Sequence, residues 1–323
     1  MTTSNSALKQ LTKIVGTLFG TAAIALSLSA HPVSADPFRS TSPRAVGDQT
    51  EEAFKTLFQK GDYRQASELL KTAEANEPLA YAMKAALAYV NQDTAAMGEN
   101  ATKTRTTAEQ LLQSDPLRGH LYVAAGHFLE GAYTLSTQGT VRSTPVVLGK
   151  LQQVFDNLKA AEKIAPNDPE LNLIKGYMDL MLAVNLPFAN PDEAIARLEN
   201  ASPNYLAQRG IAIGYRDMGR PEEGLGIMTD LIAQNPDNPE LYYLNAQLLR
   251  NKAVKLQGEQ QKQVLLESIR SFRQAAQRVD RLPATLAEQL DREGCRAFQA
   301  YRGKNVDACV SGNTINWERI AQQ

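Results

Sequence analysis

The chain contains few of the residues that metal and thiol chemistry require. Its 323 residues include three histidines, two cysteines and one tryptophan. One histidine, His31, lies in the N-terminal segment discussed below, and the sequence has neither an HExxH motif nor two closely spaced cysteines. A zinc site needs three or four protein ligands, which two isolated histidines cannot supply. We therefore expect no metal ion.

The sequence also lacks the short motifs of several enzyme classes. It has no glycine-rich phosphate loop and no G-x-S-x-G motif, and its S-x-x-K motif, Ser6 to Lys9, lies in the N-terminal segment. Aspartate and glutamate together number 35, but a scatter of solvated carboxylates does not indicate acid–base catalysis. We expect a protein without enzyme activity and without a cofactor.

Charge of one sign is not in excess either. The chain has 34 lysines and arginines against 35 acidic residues, which gives a formal net charge of −1. Binding to nucleic acid or to an anionic membrane surface is typical of chains with a basic excess. The composition therefore points to neither partner.

Residues 1–35 have the pattern of a secretory signal peptide. Lys9 and Lys13 precede an apolar run of 17 residues, 14–30, and the sequence Val-Ser-Ala at 33–35 provides the small-x-small ending that a signal peptidase reads. The pattern predicts cleavage after Ala35 and export to the periplasm. The alternative is an uncleaved anchor, since 17 residues is at the lower limit for a membrane span. After this segment we expect no membrane-spanning helix.

The chain contains an internal repeat. Pro-Asn-Asp-Pro-Glu-Leu at 166–171 recurs as Pro-Asp-Asn-Pro-Glu-Leu at 236–241, seventy residues later. Seventy is about twice the length of a helix-turn-helix repeat of 34 residues. In each copy the second proline suits the first turn of a helix, behind Asp168 and Asn238 as N-caps. The pattern predicts helix pairs stacked in series.

Residues 205–238 resemble a tetratricopeptide repeat (TPR). The segment has 34 positions, with Ala212 and Tyr215 in the first helix, Gly219 at the turn and Pro236 closing the second helix. Gly61 and Pro78 stand at the same spacing, 17 residues, as Gly219 and Pro236. Other units match less closely, with insertions expected at 92–102 and 136–144 and longer connections at 185–191 and 255–263.

The resemblance implies an all-α fold, an α-solenoid of about six TPR-like helix-turn-helix units over residues 50–283. Residues 36–49, which are rich in Ser, Thr, Pro and Arg, are expected to form a flexible leader. Residues 284–323 lack the repeat, and an amphipathic stretch, 286–300, is expected to form a helix that caps the last unit. The array would be one continuous body.

The resemblance also implies a concave binding surface on the first helices of the units. The residues carried over are spaced at helical intervals, so that each set shares a face, and tyrosine and arginine are enriched at binding hot spots. The predicted groove residues are His120, His127, Tyr177, Arg209, Arg216, Tyr243, Gln247 and Arg250. Their arginines suit an acidic or carboxylate-bearing segment.

An alternative reading makes the groove surface structural. Leu173, Met181 and Ile213, which lie on the same faces, would then form the core between units, and the arginines would be solvated. In the groove reading, replacing Arg209 and Arg250 with glutamate weakens partner capture and barely changes stability. The carboxylate clamp of chaperone-binding TPR proteins is not implied, because Ile213 stands where that clamp has asparagine.

Cys295 and Cys309 both lie in the C-terminal segment. In an exported protein two cysteines fourteen residues apart are expected to form a disulfide, and closing such a loop is worth about 3 kcal/mol in unfolded-state entropy. The alternatives are two buried thiols or a pair kept reduced by its compartment.

The layout resembles exported TPR proteins of cyanobacteria, in which the thylakoid lumen competes with the periplasm as the location. This resemblance implies a scaffold that binds a protein or peptide in complex assembly or quality control. A rival from another class is a non-catalytic subunit or helical-repeat domain of an envelope enzyme, and a deep pocket with titratable groups of displaced pKa would favour an enzyme. A self-associating structural protein is a third alternative.

Overall fold

The computed structural model describes residues 36–185 and 190–303, together with Cys309 and Trp317. The predicted signal peptide, residues 1–35, lies outside these residues. So do residues 186–189 of the predicted connection before Pro191, and most of the tail beyond residue 303.

The described residues form an all-helical fold, as predicted, without β-strands. A π-helical turn, Lys55–Gln59, prolongs the first helix, and a short 3-10 turn, Val279–Arg281, precedes the last. Within these residues no helix is long and apolar enough to cross a membrane. The helices are α1 (Asp48–Phe54), α2 (Tyr63–Lys71), α3 (Pro78–Val90), α4 (Thr94–Leu111), α5 (Pro116–Gln138), α6 (Thr140–Ile164), α7 (Pro169–Asn185), α8 (Pro191–Glu199), α9 (Asn204–Asp217), α10 (Pro221–Gln234), α11 (Pro239–Val254), α12 (Gly258–Ala276) and α13 (Ala284–Arg302).

The helices pack in succession, each mainly against its neighbours in the chain. Further contacts join α1 to α3, α3 to α5, α7 to α9 and α9 to α11. The odd-numbered helices, which open the successive pairs, therefore share one layer. Any site on this layer is built from residues far apart in sequence.

The helix starts at the repeated motif are as predicted. Helix α7 begins at Pro169 and α11 at Pro239. The carboxylate of Asp168 accepts hydrogen bonds from the backbone N–H groups of Glu170 (3.1 Å) and Leu171 (3.0 Å), and the Asn238 side chain caps α11 in the same way. These caps satisfy backbone donors that have no partner within the helix.

The expected insertions lengthen helices instead of forming loops. Helix α4 begins at Thr94, inside the predicted insertion 92–102, and α5 and α6 meet at Gly139, whose φ of 72° reverses the chain. Polar side chains in these helices bond back to the carbonyl four residues earlier, as Asn100 does at 2.7 Å and Thr134 at 2.8 Å. Helices α5 and α6 have 23 and 25 residues. The predicted long connection at 255–263 is also mostly helical, because α12 begins at Gly258.

In contrast to the mobile segment 36–49 expected from composition, residues 36–47, called the leader from here on, pack against the helices, and Asp48 and Gln49 belong to α1. Phe38 is 3% exposed and Val46 is 1% exposed. The Phe38 ring meets the ring of Phe54 edge-on, with centroids 5.0 Å apart. The leader is therefore part of the hydrophobic core.

A set of hydrogen bonds joins the beginning of the helical array to its end. The Tyr63 hydroxyl donates to Glu240, and the Asn238 amide donates to two carbonyls of the π-helical turn, at 3.2 and 3.1 Å. The Thr285 hydroxyl donates to the carbonyl of Val90 at 2.8 Å. These contacts, here called the clasp, connect α2 and α3 with α11 and α13.

The C-terminal helix α13 covers α12, where the sequence predicts a cap. Its Cys295 is joined to Cys309 by a disulfide, with Cα atoms 5.5 Å apart. The Trp317 indole stacks on Phe272 at a centroid distance of 6.4 Å, and its N–H donates to Asp291 at 3.1 Å. Cys309 and Trp317 are thus joined to the last helices, the first by a covalent bond and the second by an aromatic contact.

Candidate functional site

The layer of odd-numbered helices lines an apolar cavity of about 370 Å³ that is open to solvent, here called the central cavity. The leader, α1 with its π-helical turn, α3, α5, α7 and α9 all contribute to its wall. The lining residues are Phe38, Phe54, Phe58, Leu79, Ala82, Met83, Ala86, Tyr122, Ala125, Phe128, Leu173, Ile174, Tyr177, Met178, Leu206, Arg209 and Ile213. Binding sites for small molecules have volumes of about 300–1,000 Å³, so the cavity is large enough for a ligand.

Two predicted groove residues, Tyr177 and Arg209, lie in the wall of the central cavity. The Tyr177 hydroxyl donates to the backbone carbonyl of Leu206 at 2.7 Å. Burial raises the pKa of Tyr177 to about 12, so this hydroxyl keeps its proton. Tyr177 on α7 and Arg209 on α9 thus line the same cavity, and their role in binding a partner stays a prediction.

Arg209 is not a solvated side chain. Its guanidinium lies 2.8 Å from the carboxylate of Glu240, and the Arg209 side chain is 17% exposed. Glu240 also accepts the Tyr63 hydroxyl of the clasp. The expectation that charge reversal at Arg209 leaves stability unchanged is therefore corrected, because a glutamate there would lie against Glu240.

Arg209→Met should destabilise the chain by about 1–3 kcal/mol, since the largely buried Glu240 carboxylate would lose its charged partner. Urea unfolding of the two proteins measures the difference. Arg292→Met is the matched control: Arg292 pairs with Glu288 on the surface, with both side chains more than half exposed, and such pairs contribute about 0–1 kcal/mol. Equal, small losses in both variants would contradict the structural role of Arg209.

Four other predicted groove residues gather around Glu293 of α13. The Tyr243 hydroxyl donates to the Glu293 carboxylate at 3.0 Å, the Gln247 amide donates at 3.1 Å, and Arg250 forms an ion pair at 3.2 Å. Arg216 donates to the amide oxygen of Gln247 at 2.7 Å. The patch thus holds a carboxylate, and that carboxylate belongs to the chain itself.

His120 and His127 do not face the central cavity, contrary to the face assigned to them from the sequence. His120 Nδ1 lies 2.9 Å from the amide oxygen of Asn157 on α6, and His127 Nδ1 lies 3.5 Å from Glu130. Burial, with the nearby charge of Lys150, lowers the pKa of His127. The cavity-facing residues of α5 include Tyr122, two positions after His120 and therefore about 200° around the helix.

A buried charge network adjoins the cavity at Tyr122. The guanidinium of Arg118 donates two hydrogen bonds to Glu77, at 3.0 and 2.7 Å, and its Nε lies 3.4 Å from Glu170. The Tyr122 hydroxyl donates to Glu170 at 2.6 Å. Burial raises the pKa of Glu77, and the bonds from Arg118 oppose that shift. These contacts fix α3, α5 and α7 relative to one another.

The same network holds the leader in place. Arg39 donates to the carboxylate of Asp168 at 2.9 and 2.8 Å and to Glu170 at 2.9 Å. Arg39 also donates to Asp36 at 3.1 Å. The network therefore sets Phe38 in the cavity wall. Sequence reasoning missed this part of the site, and the only signals were the isolated Phe38 and Val46 in a polar segment.

Comparisons with models of known protein families, with curated proteins and with solved structures found no match to this chain. Within the described residues, no group of three or more His, Cys, Asp or Glu side chains is arranged to hold a metal ion. Function is therefore inferred from the cavity and the exposed surfaces themselves.

Proposed function

We propose that the chain is an exported, non-catalytic scaffold of TPR-like helix pairs that binds a protein partner in the cell envelope. The observation that carries the proposal is an apolar surface on the α5–α6 pair. The pair exposes Leu135, Val146, Leu148 and Phe155, with Leu148 61% exposed. The two that share a face of α6, Leu148 and Phe155, are here called the hairpin patch. An exposed group of large apolar side chains is typical of a protein interaction site.

Two of these side chains, Leu148 and Phe155, share one face of α6, whereas Val146, two positions before Leu148, lies about 200° around the helix. Glu130 pairs with Lys150, and a side chain at Gly131 would contact Lys150 as well. In this antiparallel register Leu135 lies level with Val146. Leu148 and Phe155 are seven residues apart on α6 and so share a face of that helix.

Helix α6 leaves this face open to a partner. It packs extensively against α5 and only slightly against α7. Its sequence has four basic residues, at 142, 150, 159 and 163, and two acidic residues, at 156 and 162, so the helix carries a net charge of +2. Apolar side chains flanked by positive charge fit a partner surface that is apolar with an acidic rim.

The double variant Leu148→Glu, Phe155→Glu should reduce partner capture at least tenfold. Two carboxylates would oppose an apolar, acidic partner surface, while the exposed positions leave the stability within about 1 kcal/mol. The measurement is cross-linking in the native host, followed by mass spectrometry that quantifies each partner. Val254→Glu is the control, because Val254 is 78% exposed on α11, away from the patch. A stable double variant that captures the same partners as the unaltered chain would place the binding surface elsewhere.

A further inference from the structure

We propose that the central cavity is a binding site for a small, uncharged, lipophilic molecule. This site is separate from the hairpin patch and does not depend on the proposed scaffold function. Apolar surface gains free energy when it leaves water for such a cavity. An engineered apolar cavity of about 150 Å³ in another protein stays dry and binds benzene. The central cavity, at about 370 Å³, has room for a body of two or three rings or for a folded hydrocarbon chain.

The polar groups in the wall indicate that the ligand carries no charge. The Tyr122 hydroxyl donates to Glu170 and the Tyr177 hydroxyl to the carbonyl of Leu206. Arg209 is paired with Glu240. Each of these groups already has a partner within the chain. A charged group placed against this apolar wall would find no partner there, at a high cost in free energy.

The same pairing argues against a peptide main chain as the occupant. Backbone N–H and C=O groups need hydrogen-bond partners when they leave water. Among the lining residues that the structure describes, the hydroxyl and guanidinium groups are engaged as above, and the other side chains are apolar. A small molecule without such groups meets no such cost.

Small side chains connect the cavity with the surface. Ala86 on α3 is exposed, and Ala82 on α3 and Ala125 on α5 are half-buried. All three belong to the cavity wall. A large side chain at Ala82 or Ala125 would therefore fill part of the cavity.

Two dyes that differ by one sulfonate test the proposal on the unaltered full-length chain. N-phenyl-1-naphthylamine is neutral, and 8-anilinonaphthalene-1-sulfonate has the same rings with a negative charge. Fluorescence titration should show saturable binding of one neutral dye per chain, with the sulfonate binding at least tenfold more weakly. Equal binding of the two dyes, or no saturable binding of the neutral one, would overturn the proposal.

Cavity-filling variants locate the bound dye. Ala125→Phe on α5 and Ala82→Phe on α3 should each weaken binding of the neutral dye at least tenfold. Ala95→Phe adds the same ring at an exposed position of α4 outside the cavity wall and should leave the affinity unchanged. Circular dichroism checks that the variants are folded. Undiminished binding by a folded filling variant would mean that the dye lies elsewhere.

A photoreactive amino acid at Ala86 identifies the natural occupant. Cross-links formed in the native host should add a mass below that of a peptide. An added mass equal to that of a protein would assign the cavity to a side chain of the partner and overturn the proposal. The variant with glutamates at 148 and 155 should still bind the neutral dye, so that failure of the hairpin patch and failure of the cavity are distinguished.

Discussion

Arg118→Met should destabilise the protein by about 3–5 kcal/mol, because it removes one partner of a buried ion pair and leaves the other charged. The Arg118 side chain is 2% exposed and makes both of its hydrogen bonds with Glu77. Glu170, which is also fully buried, would lose a second positive charge from its surroundings. The urea midpoint of unfolding, followed by circular dichroism, measures the loss.

A second substitution separates the lost charge from the lost volume. Adding Glu77→Gln to Arg118→Met removes the carboxylate that the first change leaves without its partner. The double variant should therefore lose less stability than the sum of the two single variants. A loss below about 1 kcal/mol for Arg118→Met would mean that water reaches the network and that burial does not govern its energetics.

Phe38→Ala should also cost about 3–5 kcal/mol, the usual loss when a buried phenylalanine is cut back to alanine. Phe38, a residue of the leader, is almost fully buried against Phe54 and forms part of the wall of the central cavity. If the leader were the mobile segment that its composition indicates, the same change would alter stability by less than about 0.5 kcal/mol. The two readings differ by several kcal/mol, well beyond the error of an unfolding measurement.

Thr41→Ala is the control for this comparison. Thr41 lies three residues after Phe38 and is exposed, so its loss should change stability little. Comparable losses in the two variants would point to a general effect of substitutions in the leader. If neither Phe38→Ala nor Thr41→Ala changed stability, residues 36–47 would be mobile and would not pack against the helices.

The parts of the fold that sequence reasoning predicts are those determined by neighbouring residues. Asp168 with Pro169, and Asn238 with Pro239, specify helix starts through bonds that span two or three residues. Helical periodicity likewise specifies α13. Such features depend on local geometry, which the order of residue types contains.

The position of the leader could not be predicted in this way. Arg39 meets Asp168, 129 residues further along the chain, and nothing local to either residue indicates that contact. The rotation of α5 was missed for a related reason. The TPR pattern assigns His120 to the inner face of α5. In the structure α5 packs along both α4 and α6, and Tyr122 lies on the inner face instead.

The sequence indicates which kind of group the predicted groove accepts, but not which particular group occupies it. Arginine, tyrosine and glutamine at helical spacing indicate a surface that accepts a carboxylate, and Tyr243, Gln247 and Arg250 do surround one. Residue type determines what a surface can bind. Which carboxylate reaches it depends on how the chain folds back, and here α13 brings Glu293. Whether these residues also bind a partner stays a prediction.

The clasp affects the order in which the helices can form their contacts during folding. In an open array each helix pair needs only its neighbours, and folding can begin anywhere and spread. Here Tyr63 bonds to a residue 177 positions later, and Val90 to one 195 positions later. Contacts over such distances close large loops and slow folding. Helices α2 and α3, although they leave the ribosome early, cannot complete their contacts until α11 and the start of α13 have followed.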